Sequence, residues 1–145
     1  MATNMFKKYT ESLVREWVVP VGTASGTLVQ HAVSNRIGVT ITGRGDLTKS
    51  QTNPDGTVLS GIPADGIGNK DTAATVAVDG SWLFPIATVV NGETVAGAGT
   101  PAGTAVYRII ASGLLTLVVG TNVYVGRIDD GNIVGGIAPV QIGIV

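Results

Sequence analysis

The chain has no cysteine and one histidine. Without thiols it can form neither disulfides nor thiolate metal sites. The lone imidazole, His31, has no second histidine to build a metal site with and no triad partner evident in the sequence. We read it as a surface or hydrogen-bonded strand residue. Charge is also scarce. Asp, Glu, Lys and Arg make up 13% of the 145 residues, against about 25% in ordinary soluble domains. The nine Lys and Arg are scattered and the formal net charge is −1, so no basic stripe exists to follow a phosphate backbone, and nucleic acid is not expected as a partner. Aromatic residues are 5% of the chain, too few for the two girdles of a transmembrane barrel. No apolar run reaches the ~18 residues of a spanning helix. The longest, Trp82–Val90 and Ile133–Val145, are broken by Pro or Gly, so no membrane partner is expected. Near the start, Lys7 and Lys8 are followed by Glu11, Arg15 and Glu16, which interrupt any signal-peptide core. The expectation is a chain that acts where it is made, or in a particle assembled there.

What is present is glycine and aliphatic surface. There are 21 glycines, 44% hydrophobic residues and a mean hydropathy of +0.38. An apolar, weakly charged chain that does not span a membrane is expected to bury surface against protein partners. Strand-length runs fill most of the sequence. Thr104–Ile110, Leu114–Val119 and Asn122–Ile128 are separated by Ser112-Gly113 and Gly120-Thr121, which reads as a three-strand meander. Thr27–Val33 and Ile37–Thr42 flank Ser34-Asn35-Arg36; in the second, Ile37, Val39 and Ile41 alternate with Gly38, Thr40 and Thr42, a half-buried pattern. Ala74–Val78 and Ser81–Phe84 flank Asp79-Gly80, the strongest hairpin signal in the chain. Gly43–Gly56 and Pro63–Thr72 are polar and loop-like. The fold class expected is all-β, a compact twisted barrel or sandwich, with residues 21–145 as one domain and residues 1–20 as an N-terminal arm or short helix.

Residues 1–20 differ in composition from the rest of the chain. Phe6, Tyr9, Leu13 and Trp17 recur at helical spacing, Glu11 and Arg15 form a favourable i,i+4 pair, and Pro20 would end a helix. One reading is a short amphipathic helix folded on its own domain, and another is a disordered tail. The sharper reading makes Phe6, Tyr9, Leu13 and Trp17 anchors on a neighbouring subunit, because large aromatics dominate interface energetics.

Signals of chemistry are weak. Among the ten carboxylates, Asp55, Asp65, Asp79 and Asp130 each precede glycine, the position of a turn former. Asp129-Asp130 lacks the spacing of a calcium loop. Gly97–Gly103 is glycine-rich, but it lacks the Gly-Lys-Ser/Thr ending of a phosphate loop and precedes a strand rather than a helix. Arg44-Gly45-Asp46 matches an adhesion tripeptide, too short a match to outweigh a polar turn. No catalytic group, metal or cofactor is expected, and the chain is read as not an enzyme.

A resemblance goes further. In order come Ala24-Ser-Gly-Thr-Leu-Val29, Ile37-Gly-Val39, Val78-Asp-Gly-Ser-Trp-Leu-Phe-Pro85, Ala102-Gly-Thr-Ala-Val-Tyr107, Leu115-Thr-Leu117, Asn122-Val-Tyr-Val-Gly126 and Val140-Gln-Ile-Gly-Ile144. Over residues 18–145 this series resembles the small capsid decoration, or cement, proteins of tailed bacteriophages; residues 43–72 and the arm depart from the pattern. The resemblance implies a non-enzymatic clamp on the outer surface of a virion head. It would bind the major capsid protein as a homotrimer at three-fold or quasi-three-fold sites. The alternatives are a virion surface adhesin or carbohydrate-binding β-module working through the 43–72 loops, and a hydrolase with a degenerate site.

Overall fold

The computed structural model describes residues 5–7, 13–46, 50–60, 71–87, 89–90, 93–94, 97, 99–129 and 133–143. They hold fourteen short strands and no helix, so the expected all-β class is observed. The chain forms two compact units. The first strand, β1 (Met5–Lys7), belongs to the second unit. The first unit, Leu13–Val78, contains β2 (Val14–Val18), β3 (Leu28–Gln30), β4 (Ile37–Thr40), β5 (Ser50–Thr52), β6 (Val58–Ser60) and β7 (Ala73–Ala77). From Asp79 onward the second unit contains β8 (Gly80–Pro85), β9 (Val89–Val90), β10 (Glu93–Thr94), β11 (Ala105–Arg108), β12 (Leu115–Thr116), β13 (Val123–Ile128) and β14 (Ile137–Ile142). The anticipated arm, residues 1–20, is thus shared between the units, and its strand residues lie in sheets.

In the first unit an antiparallel sheet runs β2-β7-β4-β3, with β5-β6 as a separate hairpin. β7 reads Ala-Ala-Thr-Val-Ala and lies between β2 and β4, its small side chains leaving space on the sheet faces. Trp17, Val19, Val29, Ala74, Val76 and Val78 form the core. Of the readings left open for residues 1–20, the described part Val14–Val18 takes the extended one, pairing with β7 from Val14↔Ala77 to Val18↔Ala73 rather than forming a helix. Two physical reasons account for this. Residues four apart, such as Leu13 and Trp17, share a face in a strand as well as in a helix. An isolated helix of under about 12 residues is marginal in water, while β7 offers a full ladder to the β-branched Val14 and Val18.

β4 is buried along its whole length rather than half-buried as its alternation suggested. It lies between β3 and β7. On one face Gly38 leaves room for Trp17: a Cβ there would collide with a Val76 methyl, lie 2.8 Å from the Ala77 carbonyl oxygen and crowd the indole at 3.1 Å. Thr40 is buried because its hydroxyl is fully used. It donates to the Ala24 carbonyl at 2.6 Å and accepts from the Thr27 backbone N–H at 2.9 Å.

The second unit is built on a sheet of order β1-β8-β14-β13-β11-β12, curled into a half-barrel. A parallel bridge between Ile86, just after β8, and Leu115 links the second strand of that order to its last, β12, with the Ala87 N–H donating to the Leu115 carbonyl at 2.8 Å. Trp82, Val140 and Ile128 stand opposite one another on three adjacent strands, as do Gly80, Ile142 and Gly126. Trp82, Ile128, Val140 and Ile142 are all buried. The Trp82 indole N–H, buried with its ring, donates to the Asp79 carbonyl at 3.0 Å.

Two expected connections differ. β7 and β8 lie in different sheets, so Asp79-Gly80 is a crossover and not a hairpin turn. Gly80 takes φ of 96° there, a left-handed value that glycine adopts without strain. The 104–128 segment is not a simple meander either. β11 is central and pairs with both β12 and β13, so residues 117–122 form a return loop, and a bulge between Val106 and Tyr107 adjusts the register to β13.

Gly126 marks a close approach of two backbones within the half-barrel. A Cβ would strike the Gln141 carbonyl oxygen and lie 2.9 Å from its carbon. Gly126→Ala is expected to lower unfolding free energy by about 2 kcal/mol or more, the upper range of overpacking costs. Gly97→Ala, where a Cβ meets nothing within 4 Å, should be close to neutral. Urea denaturation of both variants checks this, and equal stabilities would count against the close approach at Gly126.

Candidate functional site

Of the four residues singled out as contact anchors, the structure describes the side chains of two, one exposed and one buried. Phe6 lies in β1, opposite β8, and Tyr9 lies outside the described residues. Leu13 is 43% exposed and its carbonyl accepts from the Val78 N–H at 3.1 Å. Trp17 is 7% exposed. Its ring is part of the first unit's core and lies 5.0 Å, centroid to centroid, from the His31 ring, tilted by 50°. Trp17 therefore fixes β2 on its sheet, and Leu13 presents apolar surface beside it. The sequence marked both residues, but their four-residue spacing could not separate an inward from an outward role.

His31 closes the β3–β4 hairpin. Its backbone N–H donates to the Arg36 carbonyl at 2.8 Å, and its carbonyl accepts from the Asn35 N–H at 2.9 Å. Its Nδ1 accepts from the Ser34 backbone N–H at 3.1 Å and lies 2.9 Å from the Ser34 hydroxyl. Asn35 adopts φ of 56°, a left-handed conformation that asparagine tolerates.

The Arg44-Gly45-Asp46 tripeptide is tied into the first unit instead of displayed on a loop. The Arg44 Nε–H donates to the Val19 carbonyl at 3.0 Å, and its backbone N–H donates to the Thr23 carbonyl at 2.9 Å. Gly45 is buried; its N–H donates to the Ala73 carbonyl at 2.8 Å and its carbonyl accepts from the Thr72 N–H at 3.0 Å. These bonds pin both ends of the 46–71 insertion. Within it, residues 50–60 form the β5-β6 hairpin, while residues 61–70 lie outside the described residues.

The glycine-rich stretch uses its polar groups on its own chain. Thr100 closes a turn on Gly97, its hydroxyl donating to the Gly97 carbonyl at 2.8 Å. The Gly103 N–H donates to the Ile128 carbonyl at 2.7 Å, and an Arg127 guanidinium N–H donates to the Gly103 carbonyl at 2.9 Å. Gly99 and Gly103 both have left-handed φ. This is a strand-flanking loop, without the helix N-terminus that concentrates amides on an anion. Among the described residues no three His, Cys, Asp or Glu side chains cluster as a metal site would require, and no helix is long and apolar enough to cross a membrane.

The described surface offers aliphatic side chains. In the first unit Val18 is 77% and Val33 87% exposed, along with Leu13, Val14, Val21 and Val58. In the second, Ile110 is 67% exposed, with Leu114, Val118 and Val119 also exposed around the β11–β12 hairpin and the return loop. Tyr124 sits edge-on to its cross-strand partner Tyr107, with ring centroids 5.9 Å apart. The composition foretold such residues, but not which ones would remain outside. The surface gives a candidate interface, with no catalytic constellation among these groups.

No family model matches the chain, and neither a curated protein nor a solved structure matches it.

These contacts set two measurable outcomes. Trp17→Ala is expected to cost about 3–5 kcal/mol of stability, as for a buried aromatic, while Leu13→Ala should change it by about 0.5 kcal/mol or less; thermal denaturation distinguishes them. At the β5–β6 turn, the Thr57 hydroxyl and the Thr57 backbone N–H both donate to Asp55 Oδ1 and hold its carboxyl below the usual carboxylate range. A pKa lowered by folding makes this turn's support fully present above the unfolded carboxylate pKa. That support is lost as pH falls through the folded value. Carboxyl NMR titration should place the Asp55 midpoint below the ordinary value, and Thr57→Val should move it back up.

Proposed function

We propose that this chain is a non-enzymatic capsid decoration protein that clamps the outer surface of a tailed-phage head as a homotrimer. The observation that carries the reading is a weakly charged, all-β chain whose exposed surface retains branched aliphatic side chains on both units. Isolated exposed aliphatics are ordinary, but their number here in a chain with so few charges supports burial against protein. The order of short glycine-based motifs over residues 18–145 supports a cement protein in particular. In this reading Phe6, Tyr9 and Leu13 contact the major capsid protein or a neighbouring copy, and Trp17 holds β2 in place for them. Three linked copies would let weak individual contacts add to firm attachment.

A carbohydrate-binding or adhesin module is the second reading, favoured by the Tyr107–Tyr124 pair, since an exposed aromatic can stack on a sugar ring. The tethering of Arg44-Gly45-Asp46 weakens the adhesion-tripeptide form of it.

The deciding experiment mixes the purified protein with empty expanded phage heads and, separately, with a glycan array. The cement reading expects co-sedimentation with heads, a trimer by light scattering, and weaker retention of Leu13→Ala at unchanged Tm. Glycan binding with no head binding would overturn it in favour of the second reading; a monomer in solution and on the particle would overturn the trimer.

A further inference from the structure

We propose that the Trp17–His31 contact is a pH-responsive joint between the β3–β4 turn and the edge strand β2. An imidazole is the one side chain whose ordinary titration falls between pH 5 and 8, and His31 is the only one in the chain. Its Nδ1 accepts from the Ser34 backbone N–H at 3.1 Å. A protonated Nδ1 is a donor and cannot accept, so gaining a proton releases that N–H. The Ser34 hydroxyl, 2.9 Å away, is placed to become the acceptor of the new N–H. The same event puts a positive charge on a ring 5.0 Å from the Trp17 indole, turning a neutral ring contact into a cation–π one.

The charged groups around the ring can be named strand by strand among the described residues. β3, β4 and β7 contain no ionisable side chain. On β2, Arg15 shares the Trp17 face by strand alternation and Glu16 lies on the other. The turn itself contributes Arg36. The Trp17 ring and the Ser34 hydroxyl are neighbours whose contact with the imidazole changes on protonation. Because Trp17 is a core residue of β2, the change at the turn is felt at the sheet edge next to Leu13. This joint does not depend on the capsid reading.

The test is an NMR and fluorescence titration of the full chain from pH 8 to 5, with His31→Gln as the control. The expected result is one common midpoint for the His31 ring, the Ser34 amide proton and the Trp17 indole N–H. Tryptophan emission should fall with protonation, since an imidazolium quenches a neighbouring indole. Protection of the Ser34 amide against exchange, corrected for the intrinsic rate, should drop by about fivefold, the value of one ordinary hydrogen bond. In His31→Gln, whose fold is checked by CD, all three responses should vanish. The proposal is overturned if the Trp17 and Ser34 signals stay flat while the His31 ring titrates, or if they respond equally in His31→Gln.

Discussion

The second unit depends on closing a curled sheet around a small amount of side-chain volume. Its interior row of Trp82, Val140 and Ile128 contains one large residue and two aliphatic ones. A sheet can curl tightly around so little only if its backbones approach closely at some point. Gly126 is that point, set against the Gln141 carbonyl with no space for a Cβ. The close approach and the Ile86–Leu115 bridge belong together, since curvature brings β12 within reach of the residue after β8.

The first unit solves the same shortage of bulk differently. Its sheet is open, and a single large ring, Trp17, covers small residues: Gly38 and the alanines of β7. Burying polar groups beside this core is tolerable because they are bonded, as the Thr40 hydroxyl shows with a donor and an acceptor both engaged. The Arg44 guanidinium does comparable work at the carbonyl of Val19, next to the core. Low aromatic content therefore does not leave the sheet without a core; it concentrates the core on one residue of an edge strand.

Much of this architecture was legible in the residues. Strand punctuation by Ser-Gly and Asp-Gly gave the all-β class, and the β3–β4 hairpin appears where Ser34-Asn35-Arg36 placed it. What failed were inferences that treat a local signal as a pairing partner. Asp79-Gly80 has the residues of a hairpin turn, yet Gly80 pairs with Ile142 in another sheet, because turn chemistry permits a change of direction without choosing what lies next to it. Residues 14–18 stayed open between helix and strand for a related reason. Four-residue spacing fits both periods, and the choice was made by β7, more than fifty residues away in the chain. Exposure was less legible still: Leu13 and Trp17 share parity, and only the position of Gly38 beneath the indole distinguishes the buried one from the exposed one.

Function rests on the same distribution of groups. Chemistry requires polar side chains held apart from their own backbone and aimed at a common point. Here the noted polar groups are aimed at the chain itself: Arg44 at Val19, Arg127 at Gly103, Thr100 at Gly97 and Thr57 at Asp55. Each is spent on fixing a loop or turn. Among the described residues several of the side chains exposed at the surface are aliphatic, and aliphatic groups recognise by shape and by exclusion of water. Attachment through such contacts alone would be weak for any one copy, because association must first offset lost rotational and translational freedom. On the proposed reading, firm attachment would come from several copies engaging a repeating surface together, the arrangement a capsid provides and a lone soluble ligand does not.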